Sequence, residues 1–329
     1  MSVTYAECER QSKAVWKQFG ESKWMPAARI NAALPRRPTG ELRNVGLGKT
    51  LVAVALGASL EGHLDALREN RGSFDLMVCD KGFKALLDKG IRADFVHLAD
   101  TNIETRWMGG DDSEAWAATE GVKLIATPYA NPEWTKRWRG DRFFYVNKDA
   151  INTERVFAPM FGDPRIVPAS TNVSNAMVVF ATGSDERGPQ NFLGYESIIL
   201  VGYDYSWRVG ENYYAWNNPE PKRYYMAHRN LLDLAGMPCR TSENLFFSAK
   251  WLWTYITQHN IPAWNCSGRG ILDIPRRGEF VEVVKKFAAS PERLKAMRES
   301  FVRAQEAFTA YEAAKFDFQT KKEGLYARS

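Results

Sequence analysis

The sequence predicts an α/β fold, a mostly parallel sheet flanked by helices. Three observations carry this. Short apolar runs recur along the 329 residues and are continuous rather than alternating, the pattern of strands buried on both faces. Segments of helical spacing separate them, and strand–helix alternation implies right-handed crossovers between parallel strands. Most runs close on a small or polar residue, where open sheets of this kind carry their ligand-binding loops.

In order, the runs are Leu51–Leu56 before Gly57, Asp75–Cys79 before Asp80, Asp94–Ala99 before Asp100, and Val122–Ala126 before Thr127. Arg142–Val146 follows, then Arg165–Ala169 before Ser170-Thr171-Asn172, Ser197–Tyr203 before Asp204, and Ile261–Trp264 before Asn265. Helices are expected over Ser59–Glu69, Lys81–Lys89, Val173–Thr182 and Asn244–His259. Residues 1–50 read as an N-terminal accessory segment, 51–285 as the core and 286–329 as a long C-terminal helix. Ser290 is placed to cap that helix, with Pro291 in its first turn and Glu292 near the positive end of its dipole. Leu294, Met297, Phe301, Ala304, Phe308 and Tyr311 fall at heptad spacing. Such a stripe serves either docking on the chain's own core or a homo-oligomer contact.

Composition narrows the function classes. Hydrophobic residues at 45% and charged residues at 25% are those of a globular chain and exclude low-complexity or disordered architectures. The net charge of +5 is mild and dispersed, with one short cluster at Lys136, Arg137 and Arg139 around Trp138. Nucleic acid is therefore not the expected partner. Cys8, Cys79, Cys239 and Cys266 form no CxxC pair, which argues against structural zinc and against a disulfide scaffold. The first 19 residues carry no apolar signal core and no run reaches membrane-span length, so the expected setting is cytoplasmic with no membrane partner.

Gly46-Leu47-Gly48-Lys49-Thr50 has the end of a phosphate-loop motif but not its start. Arg43 stands where that loop needs glycine, and the segment precedes a strand instead of linking strand to helix.

The candidate site lies in the turns after the strands. Gly57 permits close approach of a ligand, and Ser59 is placed to cap a helix whose free amides hold a phosphate. Asp80, Asp100 and Asp204 each close a separate strand. Converging acids suit Mg²⁺, ribose hydroxyls or general-base work, and each acid could instead cap a helix. Thr171 and Asn172 open the Val173–Thr182 helix as caps or phosphate ligands. Asn265, Ser267 and Arg269 form another polar turn, with Arg269 best placed for phosphate. His228, in a polar aromatic stretch expected to be a loop or helix start, is the general-base candidate. His97, inside a strand, is expected to be structural. Trp207, Tyr213, Tyr214 and Trp216 offer faces on which a base or sugar ring stacks.

These segments, in this order, resemble a known family. LVAVALGASL (51–60), DLMVCDKGFKALLDKGIRADFVHLAD (75–100), NFLGYESIILVGYD (191–204) and NCSGRGI (265–271) resemble its successive strand-and-turn motifs. The family is the 6-hydroxymethylpterin diphosphokinase MptE-like domain, which also covers motility-associated flagellar glycosyltransferases and phage-encoded members. The order of elements is also similar to a bacterial sialyltransferase family, with His228 matching a histidine downstream of the glycine-x-aspartate strand. Ala58 stands where the family has proline, and Asp100 is followed by Thr101-Asn102 rather than proline.

The resemblance implies a Rossmann-like, nucleotide-binding transferase. In a diphosphokinase, Asp80 and Asp100 would hold Mg²⁺ and ATP would donate diphosphate to a pterin-like hydroxymethyl heterocycle. In a glycosyltransferase, Ser59 and Asn172 would bind the phosphate of a nucleotide-sugar and His228 or Asp204 would deprotonate the acceptor. A non-catalytic nucleotide-binding or assembly protein is the third reading.

Overall fold

The computed structural model describes residues 4–162, 164–185, 188–189, 191–211, 213–216, 228–287 and 299. Along the chain, the first strands are β1 (Thr50–Val54), β2 (Asp75–Cys79), β3 (Phe95–Leu98), β4 (Lys123–Ala126), β5 (Arg142–Lys148) and β6 (Arg165–Pro168). A short pair, β7 (Ser184–Asp185) and β8 (Gly188–Pro189), precedes β9 (Ser197–Val201). Then come β10 (Trp207–Arg208), β11 (His228–Leu232), β12 (Pro238–Ser242) and β13 (Ala263–Asn265). Eight of them form one sheet in the order β13-β9-β1-β2-β3-β4-β5-β6, parallel at every pairing. Every residue of β1 and β9 is buried, which is why their apolar runs are unbroken. The order reverses between β1 and β9, the switch point beside which open sheets of this kind place their ligand-binding loops.

The N-terminal segment folds as α1 (Tyr5–Val15), a π-helical stretch Trp16–Trp24 and α2 (Met25–Ala32). Thr4 and Glu7 make a reciprocal capping box on α1. Met25 donates its amide to Gly20, five residues back. Pro26 has no amide to offer the tighter helical bond, so the wider turn costs little here. Trp24 stacks on Tyr129 at 4.1 Å, and buried Asn31 donates to the carbonyls of Pro128 and Ala130. The accessory segment is thereby seated on the loop after β4.

The crossovers include α3 (Leu64–Glu69), α4 (Gly82–Leu87), α5 (Ser113–Ala117), α6 (Pro132–Arg137) and α7 (Glu154–Phe161). The basic cluster around α6 is a face of ion pairs: Lys136 meets Glu133, Arg137 meets Asp111, and Trp138 is buried. The longest crossover uses α8 (Val173–Thr182), which returns from β6 at one edge to β9 beyond β1. All of α8 but its first residue is buried, as expected of a helix covering the sheet centre. His97 packs below it between Tyr145 and Phe180, and burial pushes its pKa down to about 3, so the ring is neutral core. A small antiparallel sheet, β10-β12-β11, follows β9, then α9 (Glu243–Gln258), β13 and α10 (Phe280–Phe287). The expected C-terminal helix, from Ser290 through Tyr311, lies outside the described residues apart from Glu299. His228 opens a strand rather than a loop or helix, because its backbone pairs with Ser242 of β12.

Buried Asn175 knits three elements. Its amide nitrogen donates to Thr171 Oγ1 and to the Ser248 carbonyl of α9, and its oxygen accepts from the Tyr205 hydroxyl. Asn175→Ala strands a buried carbonyl and a buried hydroxyl. It is expected to lower unfolding stability by roughly 2–4 kcal/mol, read as a lower urea midpoint with an unchanged slope.

Candidate functional site

The switch point is built around Asp204. It leaves β9 fully desolvated, and its two carboxylate oxygens accept the Ser59 amide at 2.8 Å and the Ser59 hydroxyl at 2.5 Å. Gly57 and Gly270 make room. A Cβ on Gly57 would lie 2.5 Å from the Asp204 carboxyl carbon, and one on Gly270 2.4 Å from the Asp204 carbonyl oxygen. Arg269 lies 3.7 Å from the Asp204 carboxylate and pairs with Glu211 at 2.6 Å. Burial pushes the Asp204 pKa up to about 6, against the pull of Ser59 and Arg269.

Ser59 therefore does not cap a helix. Residues Ala58–His63 form a tight 3₁₀ turn, α3 begins only at Leu64, and the Ser59 amide is spent on Asp204. The other expected phosphate ligands on this side are also tied internally. Asn265 donates to the Leu272 carbonyl and accepts from the Ser267 amide. Ser267 Oγ accepts from the Tyr203 amide. Asn172 caps α8 through the Asn175 amide, and Thr171 Oγ1 donates to Ser248. These residues brace the switch point with the atoms a phosphate would need. Lys49, at the opposite end of β1, pairs with Asp75, so the Gly46–Thr50 stretch is far from this edge.

A second group gathers at the ends of β2 and β3. Asp80 is buried, and its Oδ1 accepts the Lys81 amide at 2.7 Å. Burial raises the Asp80 pKa to about 6, Lys81 opposes this, and the charge of Asp100 adds to it. The two acids thus share one electrostatic field. Asp100 is exposed, and its Oδ1 accepts from the Asn102 amide. Asn102 in turn accepts from Lys23 at 2.6 Å, which brings the accessory segment to the rim.

Lys81, absent from the sequence-based candidates, stands among these acids. Its ammonium lies 5.2 Å from the ring centres of both Trp107 and Tyr214. Burial would lower its pKa, but Tyr214, Asp80 and Asp100 together hold it above its ordinary value. Tyr214 arrives from the far side of the switch point. The Ala215 amide donates to the Leu56 carbonyl, and the Trp216 amide to Glu61. That path carries the segment after Asp204 across the end of β1. Trp207 and Tyr213 are buried against each other, so of the four expected stacking residues Tyr214 and Trp216 are the more accessible. His63 was also missed. It is half-buried beside the backbone of Cys266 and Ser267, and that burial depresses its pKa. His228 contributes a backbone position on β11; its side chain lies outside the described residues.

Among the described residues no group of three or more histidine, cysteine or acidic side chains gathers for a metal. Asp80 and Asp100 are a pair of hard oxygen donors at one edge, a set that fits Mg²⁺ completed by phosphate and water. No helix among the described residues is long and apolar enough to cross a membrane.

The fold and this edge define an α/β protein built on a parallel sheet, with polar side chains gathered at the strand ends. A family model described as 6-hydroxymethylpterin diphosphokinase MptE-like matches residues 30–210, and the chain belongs to that family. No curated protein matches the chain. Among solved structures, a MAf glycosyltransferase from Magnetospirillum magneticum AMB-1 is similar in fold, with a TM-score of 0.57 and 17% identity. The match covers 86% of this chain and 42% of that one, so the chain corresponds to under half of that protein's length.

The buried Asp204 has a pH signature. The folded carboxyl keeps its proton up to about pH 6, against an ordinary value of 3.8. Between these values the folded state binds the extra proton, so this contribution to stability is present below pH 3.8 and is lost as pH rises through 6. Asp204→Asn keeps an acceptor for Ser59 and removes the titration. The variant's melting temperature relative to the parent is expected to rise between pH 4 and pH 8, by an amount equivalent to roughly 3 kcal/mol at most.

Proposed function

We propose that the chain is a nucleotide-dependent transferase that moves diphosphate from ATP to the hydroxymethyl group of a small, flat, pterin-like heterocycle. The observation that carries this is the pairing of Asp80 with Asp100 across the ends of adjacent strands, beside a lysine and two aromatic faces. Membership of the MptE-like family supports the same reading.

Asp80 and Asp100 would hold Mg²⁺, which when bound neutralises charge on the transferring phosphates. The acceptor hydroxyl oxygen bonds to the β-phosphorus of ATP. The bond from that phosphorus to the oxygen shared with the α-phosphate breaks, and AMP leaves with the electron pair. The hydroxyl proton leaves through the solvent-facing Asp100. The protein's contribution is mainly positioning and charge, as phosphoryl transfer requires little covalent help.

A second reading is favoured by one specific observation, the fold shared with a glycosyltransferase. In it the donor is a nucleotide-sugar, Arg269 at the switch point meets the donor phosphate, and His228 is the base.

The two readings separate in a melting-temperature screen with ATP, CMP, CMP-sugars and UDP-sugars, each with and without Mg²⁺. The diphosphokinase reading expects a Mg²⁺-dependent rise with ATP. It also expects Asp100→Asn to erase the Mg²⁺ dependence and to slow AMP release roughly a hundredfold. A metal-independent rise confined to CMP or a CMP-sugar would replace it with the second reading.

A further inference from the structure

Lys81, like Lys123 and Lys286, lies over aromatic rings, but it stands beside two strand-end acids. Lys49, Lys84, Lys136 and Lys250 each meet a carboxylate within 3.5 Å. Lys81 sits next to Asp80 in sequence and in the field of Asp100, yet among the described residues its ammonium makes no ion pair and donates no hydrogen bond. It is half-buried, and two ring faces, Trp107 from the loop after β3 and Tyr214 from the segment after β10, hold it at equal distance. A half-buried ammonium has three donors to satisfy, and aromatic faces satisfy charge but accept no ordinary hydrogen bond. The arrangement restrains a flexible side chain before any ligand arrives, which reduces the entropy lost on binding. The group that completes it is an anion with several oxygens.

We propose that Lys81 is the residue that recognises the phosphate of the substrate, held ready by Trp107 and Tyr214 and placed where the two carboxylates limit binding to an anion that brings a cation with it. This rests on the reading of the edge as a phosphate-transfer site, and it assigns a phosphate-binding role to a residue outside the family-derived set.

The test is calorimetric titration of the full chain with inorganic pyrophosphate, with and without magnesium chloride, and separately with adenosine, which has the ring but no phosphate. The parent is expected to bind pyrophosphate more tightly with magnesium. Lys81→Met should weaken that binding at least tenfold, Lys81→Arg should retain most of it, and adenosine affinity should change less than twofold. In fluorotryptophan-labelled protein, pyrophosphate should shift the resonance assigned by Trp107→Phe, and Lys81→Met should abolish the shift. Equal pyrophosphate affinity in the parent and Lys81→Met, or no binding by the parent at millimolar concentration, overturns the proposal. So does a parallel loss of pyrophosphate and adenosine binding, which marks a structural role. If Lys81→Met does not fold, Lys81→Gln carries the same comparison. Lys81-dependent pyrophosphate binding in a chain that does not turn over ATP supports this proposal while removing the diphosphokinase reading.

Discussion

The desolvated carboxylate of Asp204 is the constraint from which the site's geometry follows. A carboxylate taken out of water at a sheet edge is costly unless it is hydrogen-bonded. Here the compensation comes from sequence-distant partners: the amide and hydroxyl of Ser59, with the guanidinium of Arg269 further off. Those partners approach only because Gly57 and Gly270 have no side chain to collide with Asp204, and because Gly202, at positive φ, passes against the Ala55 carbonyl. One buried acid thus fixes three exits at once, those of β1, β9 and β13. It also fixes the direction in which the chain leaves β9.

That direction matters because the segment after Asp204 reaches the second group of polar residues. The bond from the Ala215 amide to the Leu56 carbonyl lays the segment over the end of β1 and delivers Tyr214 to Lys81. The acids therefore differ in kind. Asp204 has both oxygens engaged and acts as a post. Asp80 is buried but accepts a single backbone bond, to one oxygen, among the described residues. Asp100 faces solvent and is shaped by Asn102 and, through it, by Lys23 of the accessory segment. Availability for chemistry increases from the switch point toward β3, which is why the proposed reaction is centred on Asp80 and Asp100.

The frame was legible in the sequence wherever burial left a continuous signature. Asp75–Cys79 and Val173–Thr182 match the observed β2 and α8 at both ends, because strands buried on both faces and a helix buried nearly all round admit few polar residues. The turns were less legible. Ser59 reads locally as a helix cap, but its partner is 145 residues away, and a long-range bond to a buried carboxylate outcompetes a local cap. His228 reads as part of a loop or helix start because its pairing with Ser242 depends on a small sheet with weak apolar periodicity. Lys81 and Trp107 carried no local signal. A lysine after a strand and a tryptophan in a loop are common, and their meaning arises only when Tyr214 closes the box.

The same frame explains why fold and family names point to different acceptors without conflict. Both a diphosphate donor and a nucleotide-sugar present phosphate oxygens, and strand ends carrying acids and a cation suit that shared demand. What distinguishes acceptors is the wall against which the second substrate lies. In the proposed reaction that wall would come from segments outside the strands: Trp107 from the loop after β3, Tyr214 from the segment after β10, and the rim at Asn102 that the accessory segment braces. Such segments tolerate change while the strand-end acids hold their places. A single fold can therefore keep its strand-end polar residues and change what it accepts by altering side chains on the segments that cross them.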